Sequence, residues 1–135
     1  MQLHQIHLVQ ATFALVEKKA DLFVTRLYDQ LFRLDPCLCY LFPREIDAHK
    51  QKFMAVLAEI VAGLERPYPL TQQLLKPLGQ AHAQINIQPT HYHTFANALC
   101  LALVETVGDP FTPEAEQAWR DAYYLVVGVM RETRS

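Results

Sequence analysis

The chain has 135 residues, 51 % hydrophobic and only four glycine, which excludes a disordered or fibrous protein. That length sets one domain, residues 1–135, large enough to bury a substantial core. A net charge of −2 with a pI near 6.3 leaves no electrostatic footprint for nucleic acid or an acidic membrane surface.

Met1 to Gln10 contain no signal-peptide core, and the longest dense apolar run, Ala122 to Met130, is too short for membrane insertion. The cysteines, Cys37, Cys39 and Cys100, are odd in number. Without a secretion signal they read as reduced thiols of a cytoplasmic protein, packed as small buried hydrophobes. A bond between Cys37 and Cys39, one residue apart, would be strained.

In chain order the periodicity is helical throughout. Leu22, Phe23, Leu27, Leu31 and Phe32 form a first apolar stripe. Asp35-Pro36 then reads as a capping carboxylate before a proline at the first helical position, opening a short helix that ends near Phe42-Pro43. From about Asp47 a second stripe runs through Phe53, Leu57, Ile60, Val61 and Leu64. Glu65 to Pro69 is the clearest break.

Leu75, Leu78 and His82 share the next face, with Pro77 expected in that helix's first turn, where a missing N–H is tolerated. By itself His82 is either a packed, hydrogen-bonded core residue or an axial ligand for a haem iron. Pro89 opens another helix with Tyr92, Phe95, Ala96, Leu99 and Leu103 on its apolar face, closed by Gly108-Asp109-Pro110. Thr112-Pro113-Glu114 starts the last helix, whose stripe is Trp119, Tyr123, Val126, Val127 and Met130. No segment alternates like a strand, so the fold class is all-α.

These segments, in order and spacing, resemble the globin family over nearly the whole chain. Leu75 to Ala83, with its Lys-Pro-Leu, is similar to the family's proximal helix, and Leu41-Phe42-Pro43 to the corner where a phenylalanine packs on haem. Tyr28 within Leu27-Tyr28-Asp29-Gln30-Leu31-Phe32 resembles the distal tyrosine of bacterial single-domain globins and flavohaemoglobin globin domains. His91-Tyr92 and the segment from Ala118 through Trp119 to Tyr123 resemble the same branch.

The resemblance implies a three-over-three helical sandwich, with a short leading helix, holding haem b (iron protoporphyrin IX). It implies that His82 is the proximal metal ligand, its other ring nitrogen donating to a second-shell acceptor that fixes the tautomer. His49, seven residues after Phe42, takes the distal position. There it either donates a hydrogen bond or itself ligates the metal as an internal sixth ligand. Tyr28 and His49 are both expected to donate to a bound diatomic ligand, each bond worth about 1 kcal/mol. If additive, they would slow dioxygen loss roughly tenfold or more.

The implied cofactor lining is Phe42, Phe53, Leu57, Leu78, Ile87, Tyr92, Phe95 and Leu99, with Arg44 and Lys52 beside the propionates. Flavohaemoglobins place a glutamate on the last helix near the proximal histidine; counting from Trp119, Arg134 stands there, with Glu132 two residues early. That departure weakens a peroxidase-like reading.

The function these features imply is reversible binding of dioxygen and of nitric oxide and carbon monoxide. The alternative is nitric oxide dioxygenase; the chain carries no reductase domain after Ser135, so that activity would need a separate reductase partner. A gas sensor is the third reading, with no output domain visible. No nucleic-acid partner is expected.

Overall fold

The computed structural model describes residues 1–85 and 87–132. Helix α1 spans Leu3–Glu17 and α2 spans Ala20–Leu34, after which a 3₁₀ turn over Pro36–Leu41 leads to α3, Ile46–Gly63. The short α4, Pro67–Leu70, continues through a π turn at Thr71–Leu75 into α5, Lys76–Gln84. Helices α6, Pro89–Val107, and α7, Pro113–Glu132, complete the described chain, in which no strand occurs.

The helix starts follow the chemistry of their capping residues. The Asp35 carboxylate accepts the Cys37 backbone N–H at 3.2 Å, and the Thr112 hydroxyl accepts that of Ala115 at 3.1 Å. Each satisfies a donor that has no partner within the first helical turn. At the start of α6, His91 turns back so that its Nδ1 accepts the Gln88 N–H at 3.0 Å. Gly108 closes α6 with φ at 74°, a conformation that a Cβ makes costly.

Several local expectations need correction. The leading helix is not short: α1 has 15 residues, the same length as α2. Pro77 does not lie in the first turn of a fresh helix, because the backbone is already helical from Pro67. The turn before it widens instead, with the Lys76 N–H reaching back to the Thr71 carbonyl. Such a π bulge relieves the ladder just before a residue that cannot donate to it. Leu22 is 40 % exposed, since the buried face of α2 centres on Val24, Leu27, Tyr28 and Leu31. Cys37 and Cys39 are exposed and only Cys100 is buried. In the 3₁₀ turn Leu38 points inward, which turns the cysteines on either side of it out.

Helices α1, α3 and α5 form one layer, and α2, α6 and α7 the other. Within the second layer α2 packs along α6, and α6 against α7; α1 and α5 cross onto α7, while α2 meets α3. The fold is a three-over-three helical sandwich. Its main core gathers Val9, Phe23, Leu27, Leu31, Leu103 and Ala118 among others. A second, smaller cluster of Leu75, Val126 and Met130 sits where α5 meets α7. Between these clusters lies the site.

Candidate functional site

A cavity of about 510 Å³ opens between α3, α5, α6 and α7, with Tyr28 of α2 and Phe42 of the corner at one side. Close-packed interiors hold few voids larger than a water molecule, so an apolar space of this size is a binding pocket. Phe53, Leu57, Leu78, Ile87, Tyr92, Phe95 and Leu99 all line it, as does Phe42. The predicted lining is thus brought together from four separate segments. Lys52 borders it with an exposed side chain, whereas Arg44, also exposed, is not part of the wall. Arg44 lies in a bend before α3, its carbonyl accepting the Ile46 N–H at 2.9 Å, and so stands outside the helix that carries Lys52 and Phe53 to the wall.

His82 enters from α5. Its Nδ1 donates to the Leu78 carbonyl one turn earlier, at 2.8 Å. A carbonyl can only accept, so Nδ1 carries a proton, and in the neutral form of the ring Nε2 keeps its lone pair. The ring lines the cavity, half-buried. This chain therefore holds, at one wall of an apolar pocket, an imidazole whose neutral form is the tautomer that a metal ligand needs.

Tyr28 and His49 line the same cavity. Tyr28 is 2 % exposed and wedged among Phe32, Phe42 and Phe53, with ring centroids 5.3–6.2 Å apart around this cluster. Its hydroxyl does not bond to backbone; it lies 2.7 Å from His49 Nδ1. His49 packs edge-on against Phe42 at 5.1 Å, and the Lys50 ammonium sits over the Tyr28 ring at 5.9 Å. Burial, then the Lys52 charge, then His82 hold the His49 imidazole below its ordinary range, so it is neutral at pH 7. Burial pushes the Tyr28 phenol up, so it keeps its proton.

The last helix supplies a wall that the sequence reading left out of the site. Trp119, Tyr123, Val126 and Met130 of α7 all face the cavity. Tyr123 stacks on Phe95 at 6.0 Å and donates to the Tyr92 carbonyl at 2.6 Å, and burial pushes its phenol up. Their stripe was visible as periodicity, but a stripe says only that a face is covered, not by what. The Arg131 guanidinium lies 5.9 Å from the Tyr92 ring centre. Arg134, expected at the glutamate position, lies outside the described residues.

Two helical layers enclosing an apolar pocket lined by two imidazoles make an all-α architecture of the kind that can hold a prosthetic group in its core. Comparison with known proteins narrows this. The family model described as Globin matches residues 25–130, and the chain belongs to the globin family. Membership implies haem binding and the binding of diatomic gases.

Among its relatives, a flavohemoprotein of Bacillus subtilis is 26 % identical over 123 residues, covering 90 % of this chain and 31 % of that protein. A flavohemoprotein of Xylella fastidiosa is 26 % identical over 132 residues, covering 96 % of this chain and 33 % of its own length. A neuroglobin of Tetraodon nigroviridis is 29 % identical over 118 residues, which is 77 % of this chain and 74 % of that one. The chain spans about a third of the length of these flavohemoproteins.

Proposed function

We propose that the protein is a haem globin that reversibly binds dioxygen and other diatomic ligands, with His82 as proximal ligand and Tyr28 and His49 on the distal side. The observation that carries this reading is His82 itself, its Nδ1 tied to the Leu78 carbonyl and its Nε2 left for a metal at the wall of an apolar cavity of about 510 Å³. The residues fit haem, because the walls are aromatic and aliphatic and the cation Lys52 stands at the rim for a propionate. When bound, haem supplies an iron with a coordination position for dioxygen, nitric oxide or carbon monoxide.

The chain's own contribution is positional. His82 holds the group and Leu78 orients His82. Phe42 and Phe53 exclude water beside the distal pair, which strengthens any hydrogen bond made there. The distal pair offers that hydrogen bond. We place the protein in the cytoplasm and take haem b as the group, and residues 1–135 act as one unit in this reading. No helix among the described residues is long and apolar enough to cross a membrane.

The test is reconstitution with haemin. Stoichiometric uptake with a Soret band, lost in His82→Gly and restored by added imidazole, is the expected result. Absence of uptake, or retention of the same spectrum in His82→Gly, overturns the reading. A second reading, nitric oxide dioxygenase working with a separate reductase, draws on the buried Tyr28 hydroxyl at the distal side. Nitrate formation from nitric oxide in the presence of a reductase supports it. Survival of the oxygenated protein on mixing with equimolar nitric oxide removes it.

A further inference from the structure

We propose that Tyr28 is a positioning residue whose hydroxyl locks His49 in its Nε2–H tautomer, making the distal histidine a hydrogen-bond donor and preventing it from becoming a sixth iron ligand. The proposal rests on the haem-globin reading above and concerns the regulation of that same site.

The Tyr28 oxygen and His49 Nδ1 are 2.7 Å apart and share one hydrogen. Either the phenol donates to Nδ1, or Nδ1–H donates to the phenol. The choice between them follows from the intrinsic acidity and basicity of the two groups. Between neutral partners the phenol is the stronger acid and the imidazole nitrogen the stronger base. The O–H···N arrangement therefore wins. A neutral imidazole carries a single N–H, and with Nδ1 accepting, that hydrogen sits on Nε2. An Nε2–H nitrogen has no lone pair to give a metal.

The surroundings keep this arrangement in place. Phe32, Phe42 and Phe53 pack around the Tyr28 ring, and Phe42 also meets His49 edge-on at 82°. The two cavity imidazoles are thus held in opposite tautomers by opposite kinds of partner. The Leu78 carbonyl can only accept, so His82 keeps the Nε2 lone pair; the Tyr28 hydroxyl donates, so His49 loses it. A second consequence corrects the expectation of additive donors. The single hydrogen of Tyr28 is committed to His49, so the pair presents one donor to a ligand rather than two.

The decisive measurement is ¹⁵N NMR of histidine-labelled full-length chain, alone and loaded with zinc protoporphyrin as a diamagnetic probe. Wild type is expected to show His49 protonated at Nε2 with an accepting Nδ1, and Tyr28→Phe a mixture of both tautomers. In the iron-loaded protein, deoxy-ferrous wild type is expected to be five-coordinate and high-spin. Tyr28→Phe should gain a low-spin six-coordinate fraction that disappears in Tyr28→Phe/His49→Ala. The proposal is overturned by Nδ1–H at His49 in wild type, or by a tautomer that Tyr28→Phe does not change. It is equally overturned by a six-coordinate wild type that His49→Ala converts to five-coordinate. Failure to take up any porphyrin would sink the haem reading instead, and the NMR of the chain alone would still decide the tautomer.

Discussion

Leu78 lies one turn before His82, and its carbonyl, more than its side chain, decides what that ring can do. A single neighbouring atom also meets His49, the Tyr28 hydroxyl, while burial of that ring makes the pH behaviour of the site specific. The folded protein holds His49 below its ordinary range, whereas the unfolded chain protonates it near pH 6.5. Between those two values the unfolded state binds more protons, so stability is present above about pH 6.5 and falls as pH drops below it. Urea titrations of apoprotein at pH 7 and pH 5.5 should show this loss, and His49→Gln should show a smaller one. The cysteines separate in the same way by environment. Cys37 and Cys39 are exposed, whereas Cys100 is buried and its thiol is pushed up to about 11 by burial. A disulfide reagent at pH 8 should therefore titrate the two exposed thiols in the native protein and reach Cys100 only after denaturation.

Single residues act here through the helices that carry them, and the helix ends are where the sequence speaks most clearly. Asp35-Pro36, Thr112-Pro113 and Gly108 were each readable as caps or stops because capping depends on neighbours within one turn. Removing the Thr112 cap is expected to cost about 1 kcal/mol. Gly108→Ala, which forces a Cβ into a positive φ, should cost about 1 kcal/mol as well. Both are checked by chemical denaturation, and neither should alter haem uptake, since neither residue lines the cavity. The segment from Pro67 to Gln84 was less legible. Proline rules describe regular α-helix, and the chain instead passes Pro77 by widening the preceding turn into a π bulge. That choice belongs to the packing of α5 on α7, which local sequence does not contain.

At the scale of the whole molecule, the cavity divides an otherwise continuous core. Leu27 lies fully buried within the main cluster, while Leu57 has the cavity on one side. Leu27→Ala is expected to lose about 2–5 kcal/mol, and Leu57→Ala less, because fewer neighbours pack around it. Haem that binds only the folded chain should raise the melting temperature in proportion to the logarithm of its free concentration. Thermal scans of wild type and both variants, with and without haemin, test both statements together.

The sequence by itself determined the helical class and the ends of several helices, because these follow from periodicity and local capping, whereas the expected lining came from its likeness to the globins. Its likeness to the globins also pointed to His82. Only the tertiary structure decided which of those residues meet. It brought the α7 face to the cavity wall, left Arg44 outside and turned Cys37 and Cys39 to solvent. Above all it brought Tyr28 and His49, 21 residues apart, within 2.7 Å of each other. Periodicity reports which face of a helix is covered. What covers it, and which hydrogen bond an imidazole therefore makes, depends on helices that are distant in the chain and adjacent in space.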